Sequence, residues 1–250
     1  MTPALTSPGS QLYEEQKMLA DYLAFHYAPA SRYMPWSSQL EPFLNFPHRT
    51  AQLAEQFCPS PERTLDLGCS VGRATFELSN FSQHVTGIDF SHAFIHAAQQ
   101  IQQLGKLSYN ESLSPHSSSE EIAHMPAGAN PERITFSQGD ALDLPTNIGK
   151  FDLIHASNLL CRLPKPAEFL QSLSQLTNTN GTVLLATPFS WLENYTPREN
   201  WPSYDSWQWL QDQLKPNFQL VHQADEPFMI RQHQRKYQWV VSKISIWQKR

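Results

Sequence analysis

Eight residues, Asp66-Leu67-Gly68-Cys69-Ser70-Val71-Gly72-Arg73, constrain this chain more than any other stretch. They join a segment at 63–67 that reads as a short buried strand to one at 73–80 that reads as a helix. Gly68 lets the backbone turn without a Cβ clash, and Gly72 lets a ligand approach the start of the helix. A second strand follows at 84–88, and Ser91 is placed to cap a helix running to about Leu104. Strand, glycine-bearing loop, helix and strand make a βαβ unit, which requires a parallel sheet.

The flanking segments extend that unit. Helices are expected at 12–27, stopped by Pro29, and at 43–58, closed by Pro59 and Pro61. Strands follow at 133–137, 151–156 and 182–187, with a proline-opened helix at 166–176. After a Trp-rich helix at 204–214, strands near 218–223 and 234–247 have no helix between them and so form an antiparallel hairpin. The expected fold class is α/β and Rossmann-like: a mostly parallel seven-stranded sheet, an antiparallel C-terminal hairpin and an N-terminal helical cap. Residues 1–60 would supply a loose first ten residues and the cap, and residues 61–250 the main domain. An insertion at 105–132 breaks the rhythm. It carries Ser112, Ser114, Ser117, Ser118 and Ser119 with little periodicity and reads as a long loop.

Composition narrows the function. Two hundred and fifty residues suit one sizeable α/β domain, and 7 Trp, 8 Tyr and 14 Phe are ample for its core. Eighteen Lys and Arg against 23 Asp and Glu leave a formal charge of -5, which offers no basic surface for nucleic acid. No apolar run reaches the roughly 18–20 residues of a membrane span, and no signal-peptide pattern opens the chain. A cytoplasmic location away from membranes is expected. Cys58, Cys69 and Cys161 are odd in number and far apart, which argues against a disulfide framework or a structural zinc. His92 and His96 stand four apart but have no third ligand nearby, so no metal is expected.

The acids at the strand ends suggest a ligand. Asp89 lies 21 residues beyond Gly68, where a carboxylate can accept hydrogen bonds from both hydroxyls of a ribose. Asp140, in Gly139-Asp140-Ala141, follows the third strand and could meet an adenine amino group. A dinucleotide would want G-x-G-x-x-G, whereas the glycines here are spaced G-x-x-x-G. Asp66 would repel a pyrophosphate but suits an ammonium group. The electrostatics therefore favour S-adenosylmethionine over a nicotinamide cofactor. Its candidate contacts are Asp66, Gly68, Cys69, Ser70, Gly72, Arg73, Asp89, Phe90, Asp140, Ala141 and Asn158. A cofactor-binding protein without catalysis is the alternative from another class.

Several stretches resemble a known family. Residues 22–27 (YLAFHY), 66–73 (DLGCSVGR), 87–95 (GIDFSHAFI), 157–163 (SNLLCRL), 188–201 and 235–239 (RKYQW) are similar to the class I S-adenosylmethionine-dependent methyltransferases. Within them, the resemblance is to the mercaptohistidine N-methyltransferases of ovothiol biosynthesis. The glycine motif is generic, while Asn158 to Leu163 and Trp191-Leu192-Glu193 point to the subgroup. The resemblance implies methyl transfer to an imidazole nitrogen of 5-thiohistidine. It also implies functional pairing with a sulfoxide synthase, a domain often fused ahead of this one and lacking here, so that a free-standing enzyme is expected. Another small metabolite as substrate stays open.

Such a substrate suggests partners. Its carboxylate calls for Arg, with Arg162, Arg198 and Arg231 as candidates and Arg162 favoured because it follows the fourth strand. Asn158 and Glu193 are candidates for orienting the ring, with no catalytic base assigned. Tyr22, His26 and Tyr27 form a helix face that could close over the site. Trp191, Asn200 and Trp201 lie after the fifth strand, where substrate loops gather. In the terminal hairpin Tyr237 is expected to wall the pocket and Trp239 to sit in the core, while Cys161 reads as a packed hydrophobe.

Overall fold

The computed structural model describes residues 8–36, 38–114 and 116–250. The first seven positions of the expected loose N-terminus therefore lie outside the described residues. From Pro8 to Glu14 the chain forms a 3-10 helix, followed by α1 (Gln16–Tyr27), α2 (Ala30–Tyr33) and α3 (Phe46–Phe57). The βαβ unit is β1 (Arg63–Leu67), α4 (Arg73–Leu78) and β2 (His84–Asp89), leading into α5 (His92–Leu104). Ser91 caps α5 as expected, its hydroxyl accepting from the Phe94 N–H at 3.1 Å.

The insertion is a hairpin and not a loop. Strands β3 (Lys106–Ser114) and β4 (Ser117–His124) pair antiparallel as a separate two-stranded sheet. Tyr109, Glu111 and Ala123 are its buried side chains. Serine is a weak strand former, and the inward position at 111 carries a carboxylate, so the alternation does not read as apolar. Then come β5 (Ile134–Gln138), β6 (Phe151–Ser157), α6 (Pro166–Leu176), β7 (Thr177–Thr187), α7 (Ser206–Leu214), β8 (Phe218–His233) and β9 (Lys236–Lys249).

The main sheet has seven strands in the order β5-β2-β1-β6-β7-β9-β8. The pairs from β5 to β7 are parallel, and β9 runs antiparallel to both β7 and β8. This is the expected α/β, mostly parallel sheet with its antiparallel C-terminal hairpin. The chain winds outward from β1 to β5 and then returns to β6, so the order reverses between β1 and β6. A crevice at the carboxyl ends of the strands belongs at such a reversal.

Alternation along the strands feeds two cores. Leu65 and Leu67 of β1 join Phe169, Leu173, Leu210 and Trp247 on one face. On the other face Phe76, Phe94, Phe136 and Leu153 pack with Leu23 and Ala54 from the N-terminal helices. Thr64 and Asp66, which alternate with the leucines, are 0% and 1% exposed. A carboxylate so placed must find partners inside the protein.

One core assignment fails. Trp239 is 49% exposed, with its ring edge-on to Phe43 at 4.6 Å. β7 pairs with β9 only from Lys243 to Gln248, so residues 236–241 of the hairpin project past the sheet and have no strand on that side.

Candidate active site

A cavity of about 810 Å3 lies at the carboxyl ends of β1, β2, β5 and β6. That is within the ~300–1,000 Å3 of small-molecule sites. Its lining includes Asp66, Gly68, Cys69, Ser70, Asp89, Phe90, Asp140, Ala141 and Asn158 among the expected cofactor contacts. Gly68, at φ +71°, makes the turn after β1. Its N–H and that of Cys69 both donate to the Ile88 carbonyl, at 2.8 and 3.1 Å, fastening the loop to β2. Burial pushes the Cys69 thiol well above its ordinary range, so it is an inert small side chain there.

Two expected contacts lie outside the lining. Gly72 adopts φ +84°, and a Cβ on it would stand 2.8 Å from Phe136 and 3.0 Å from Ala98. Its bareness serves the packing of α4 against α5 and β5. Arg73 donates to the Glu77 carboxylate at 2.8 Å and to the His26 carbonyl at 2.9 Å, tying α4 to α1.

Asp89 is held from both sides. One oxygen accepts from the Ser70 N–H at 2.8 Å and the other from the Ser91 N–H at 2.9 Å. Burial pushes its pKa up to about 6; the two N–H donors pull it down, and the carboxylates of Asp66 and Glu14 raise it further. The Ser70 hydroxyl beside it is buried without a partner, as is that of Ser157 on the cavity wall. Asp140 accepts from the Leu142 N–H at 2.9 Å, which shapes the turn after β5. Asn158 takes a left-handed conformation at φ +56°, and its side-chain oxygen accepts from the Ser242 hydroxyl at 2.6 Å.

Asp66 is more engaged than the sequence suggests. The Thr75 hydroxyl donates to one oxygen at 2.6 Å, and His155 Nδ1 lies 2.8 Å from the other. His155 Nε2 is 3.0 Å from the Thr50 hydroxyl. His155 itself escapes the sequence reading. Its signal was present all the same, as an imidazole in the otherwise apolar buried run of β6.

The opposite wall comes from α1 and the hairpin β8–β9. Tyr22 and His26 line the cavity as expected, joined by Tyr13, Phe25, Phe46 and Phe228. Burial pushes the Tyr22 hydroxyl up to about 12. Burial, reinforced by the Arg73 charge, lowers the His26 pKa to about 3, so the imidazole is neutral, and its Nδ1 has no partner. Tyr27 turns away and donates to the Val71 carbonyl at 2.7 Å, closing a core contact instead.

The arginines separate clearly. Arg162 lines the cavity, donates to the carbonyls of Cys161 and Ser190 at 3.1 and 3.0 Å, and lies 4.9 Å over the Tyr195 ring. Among the described residues it pairs with no carboxylate. Arg231 also lines the cavity, but it is ion-paired with the buried Glu111 of β3. Glu111 and Glu121 pair in turn with Arg32, so two arginines and two glutamates cancel. Arg198 pairs with Glu193 at the surface.

Four other expected substrate or orienting residues lie outside the lining, and three of them tie segments together. Trp191 donates to the Ser206 hydroxyl at 3.0 Å, Asn200 to the Pro164 carbonyl at 2.8 Å and Tyr237 to the Tyr33 carbonyl at 2.8 Å. Glu193 is exposed. Trp239, displaced from the core, is on the cavity rim. Among the described residues no group of three or more His, Cys, Asp or Glu gathers as for a metal, and no helix is long and apolar enough to cross a membrane.

A parallel sheet reversing at β1 and β6, with an acid at three successive strand ends around one cavity, defines a class I S-adenosylmethionine-dependent methyltransferase. The chain belongs to the methyltransferase-domain family, whose profile matches residues 38–238. The donor set fits S-adenosylmethionine as the cofactor: Asp89 has spare acceptor sites for hydroxyls, and the dry Ser70 hydroxyl beside it awaits a partner.

Solved structures share the fold. N-methyltransferase NodS from Bradyrhizobium japonicum WM9, in complex with S-adenosylhomocysteine, is 15% identical with a TM-score of 0.54, over 92% of this chain and 98% of that one. TehB from Haemophilus influenzae is 14% identical with a TM-score of 0.57, over 93% and 67%. YcgJ from Bacillus subtilis is 12% identical with a TM-score of 0.55, over 81% and 99%.

Proposed function

We propose that this protein transfers a methyl group from S-adenosylmethionine to an imidazole nitrogen of 5-thiohistidine, forming ovothiol. The thiol-bearing histidine would come from a sulfoxide synthase acting before it. The observation that carries the reading is the wall facing the cofactor loop. It is aromatic and holds a neutral imidazole at His26, and Arg162, on the segment after β6, is the cavity's one cation without a carboxylate partner among the described lining residues. An aromatic, zwitterionic amino acid suits those features: the ring packs against Tyr22 and Phe25, and the carboxylate meets Arg162.

In the bound state Asp89 would accept from the ribose hydroxyls, Asp140 would face the adenine amino group, and the Gly68–Ser70 backbone would run beside the sulfur-bearing arm. Asp66 would face the ammonium group. The cofactor supplies an electrophilic methyl on its sulfonium. Selectivity is left to the protein, because the substrate thiolate is a better nucleophile than its ring nitrogen. Holding the nitrogen about 3–3.5 Å from the methyl and the sulfur off that line suffices without a strong base. His26, neutral across the physiological range, can hold the second ring nitrogen and so select the tautomer that attacks. Asn158, pinned by Ser242 beside the cofactor loop, keeps that side of the cavity rigid.

The test is mass spectrometry of reactions with S-adenosylmethionine and 5-thiohistidine, histidine or cysteine. A mass gain of one methyl only with 5-thiohistidine, placed on nitrogen by fragmentation, is the expected result. Methylation of histidine or cysteine instead, or of none of the three, would refute the substrate.

A further inference from the structure

We infer that His155 is a positioning residue for the cofactor's amino group, acting through Asp66; this rests on the cofactor placement proposed above. β1 and β6 are neighbours, and their register sets Asp66 directly beside His155. Both side chains leave the sheet on the face covered by α3 and α4, and both are 1% exposed. A carboxylate so little exposed to water needs fixed donors. Thr75, from α4, supplies one at 2.6 Å. His155 supplies the other at 2.8 Å; a carboxylate only accepts, so Nδ1 carries the hydrogen.

The far side of the ring is anchored as well. With Nδ1 carrying the hydrogen, Nε2 accepts from the Thr50 hydroxyl at 3.0 Å; the same hydroxyl lies 3.0 Å from the Pro47 carbonyl. Four elements, α3, β6, β1 and α4, are thus strung on one line of side chains, Thr50–His155–Asp66–Thr75. The line ends on no solvent. It opens on the cavity, which Asp66, His155 and Pro47 all line.

This arrangement does what a lone strand-end acid cannot. A free carboxylate could rotate about χ2 and present either edge. Bonded at one lone pair of each oxygen, Asp66 keeps its plane and turns its remaining acceptor sites in one direction. A cationic group entering the cavity beside Gly68 meets an acceptor already oriented, so little ordering cost is left for binding. His155 sets this orientation without touching the reacting atoms.

Calorimetry with two ligands tests the assignment. S-adenosylhomocysteine carries the amino-acid arm, and 5′-methylthioadenosine lacks it. His155→Leu should weaken S-adenosylhomocysteine by roughly tenfold or more, the loss typical of a charge-assisted hydrogen bond, and leave 5′-methylthioadenosine unchanged. His155→Asn, which keeps an N–H near the Nδ1 position, should recover most of that loss. In a cycle with Asp66→Asn, the two losses should not add. Unchanged S-adenosylhomocysteine binding in His155→Leu, or equal weakening of both ligands, overturns the role of His155.

Should the Leu variant fail to fold, the wild-type protein decides. With 15N-histidine labelling, S-adenosylhomocysteine but not 5′-methylthioadenosine should move the Nδ1 resonance that His155→Asn removes; a resonance that neither ligand moves, or that both move, overturns the proposal. Failure of the underlying placement looks different: Asp66→Asn itself would then bind both ligands as the wild type does.

Discussion

Asp89 offers the sharpest quantitative test of the cofactor site. Burial lifts its pKa from an ordinary 3.8 to about 6, while its oxygens stay fixed by the N–H groups of Ser70 and Ser91. On the proposed placement Asp89 accepts from two ribose hydroxyls, which a carboxylate does fully only when ionised. Binding therefore selects the ionised form and lowers the pKa, so the complex releases a proton wherever the free protein holds one. At pH 8 the free protein holds about a hundredth of a proton at this site, at pH 6 roughly half, and at pH 5 about nine-tenths. S-adenosylhomocysteine affinity should accordingly fall about tenfold between pH 7.5 and pH 5.

Calorimetry in buffers of differing ionisation enthalpy reads the released proton directly. Asp89→Asn should weaken binding at neutral pH and flatten the profile. The stability linkage has the same origin and a definite sign. The folded pKa lies above the unfolded one, so the folded state holds more protons between about pH 4 and pH 6. The burial of Asp89 thus weighs against folding at neutral pH, and this weight eases as the pH falls through 6. Wild-type affinity that stays level from pH 7.5 to pH 5, with no proton released, would refute this account of the site.

Three further expectations follow from named contacts. Gly72→Ala places a Cβ 2.8 Å from Phe136 at a left-handed φ, so urea unfolding should show a loss of about 1–3 kcal/mol, and an unchanged midpoint would refute the packing role. Arg162→Ala should raise the KM for the amino-acid substrate and leave S-adenosylhomocysteine binding nearly unaltered; unchanged substrate kinetics would remove Arg162 from the pocket. Glu111→Gln removes the carboxylate paired with Arg231 and leaves Arg32 with Glu121 alone, so thermal unfolding should show a loss of about 3–5 kcal/mol, with hydrogen exchange fastest in the β3–β4 hairpin.

Much of the cofactor side was legible because it depends on local chemistry. The turn at Gly68, the cap at Ser91 and the acid at Asp89 are each decided by neighbours in sequence, and Gly68 and Asp89 reach the cavity wall. Gly72 shows the limit of that logic. A glycine at the head of a helix looks the same whether it makes room for a ligand or for another helix. Only the approach of Phe136 and Ala98, 64 and 26 positions away, tells the two apart. Asp66 is similar: its place at the strand end was readable, while its bond to His155, 89 positions away, was not.

The substrate side was harder for a physical reason that Glu111 makes concrete. Sequence reading treats a charged residue as a surface residue, because an unpaired charge is too costly to bury. Glu111 is 3% exposed because Arg32 and Arg231 reach it from 79 and 120 positions away. The same pairing has two effects. It turns a serine-rich stretch that looks like a loop into a hairpin clamped against α2 and β8. It also neutralises Arg231, which the sequence offers as a carboxylate receptor on equal terms with Arg162. Arg162 and Arg231 differ in the charge balance around each of them, and that balance is set by the tertiary fold. A carboxylate entering this cavity finds net positive charge at Arg162. The hairpin denies it the same at Arg231, where Glu111 already holds the guanidinium.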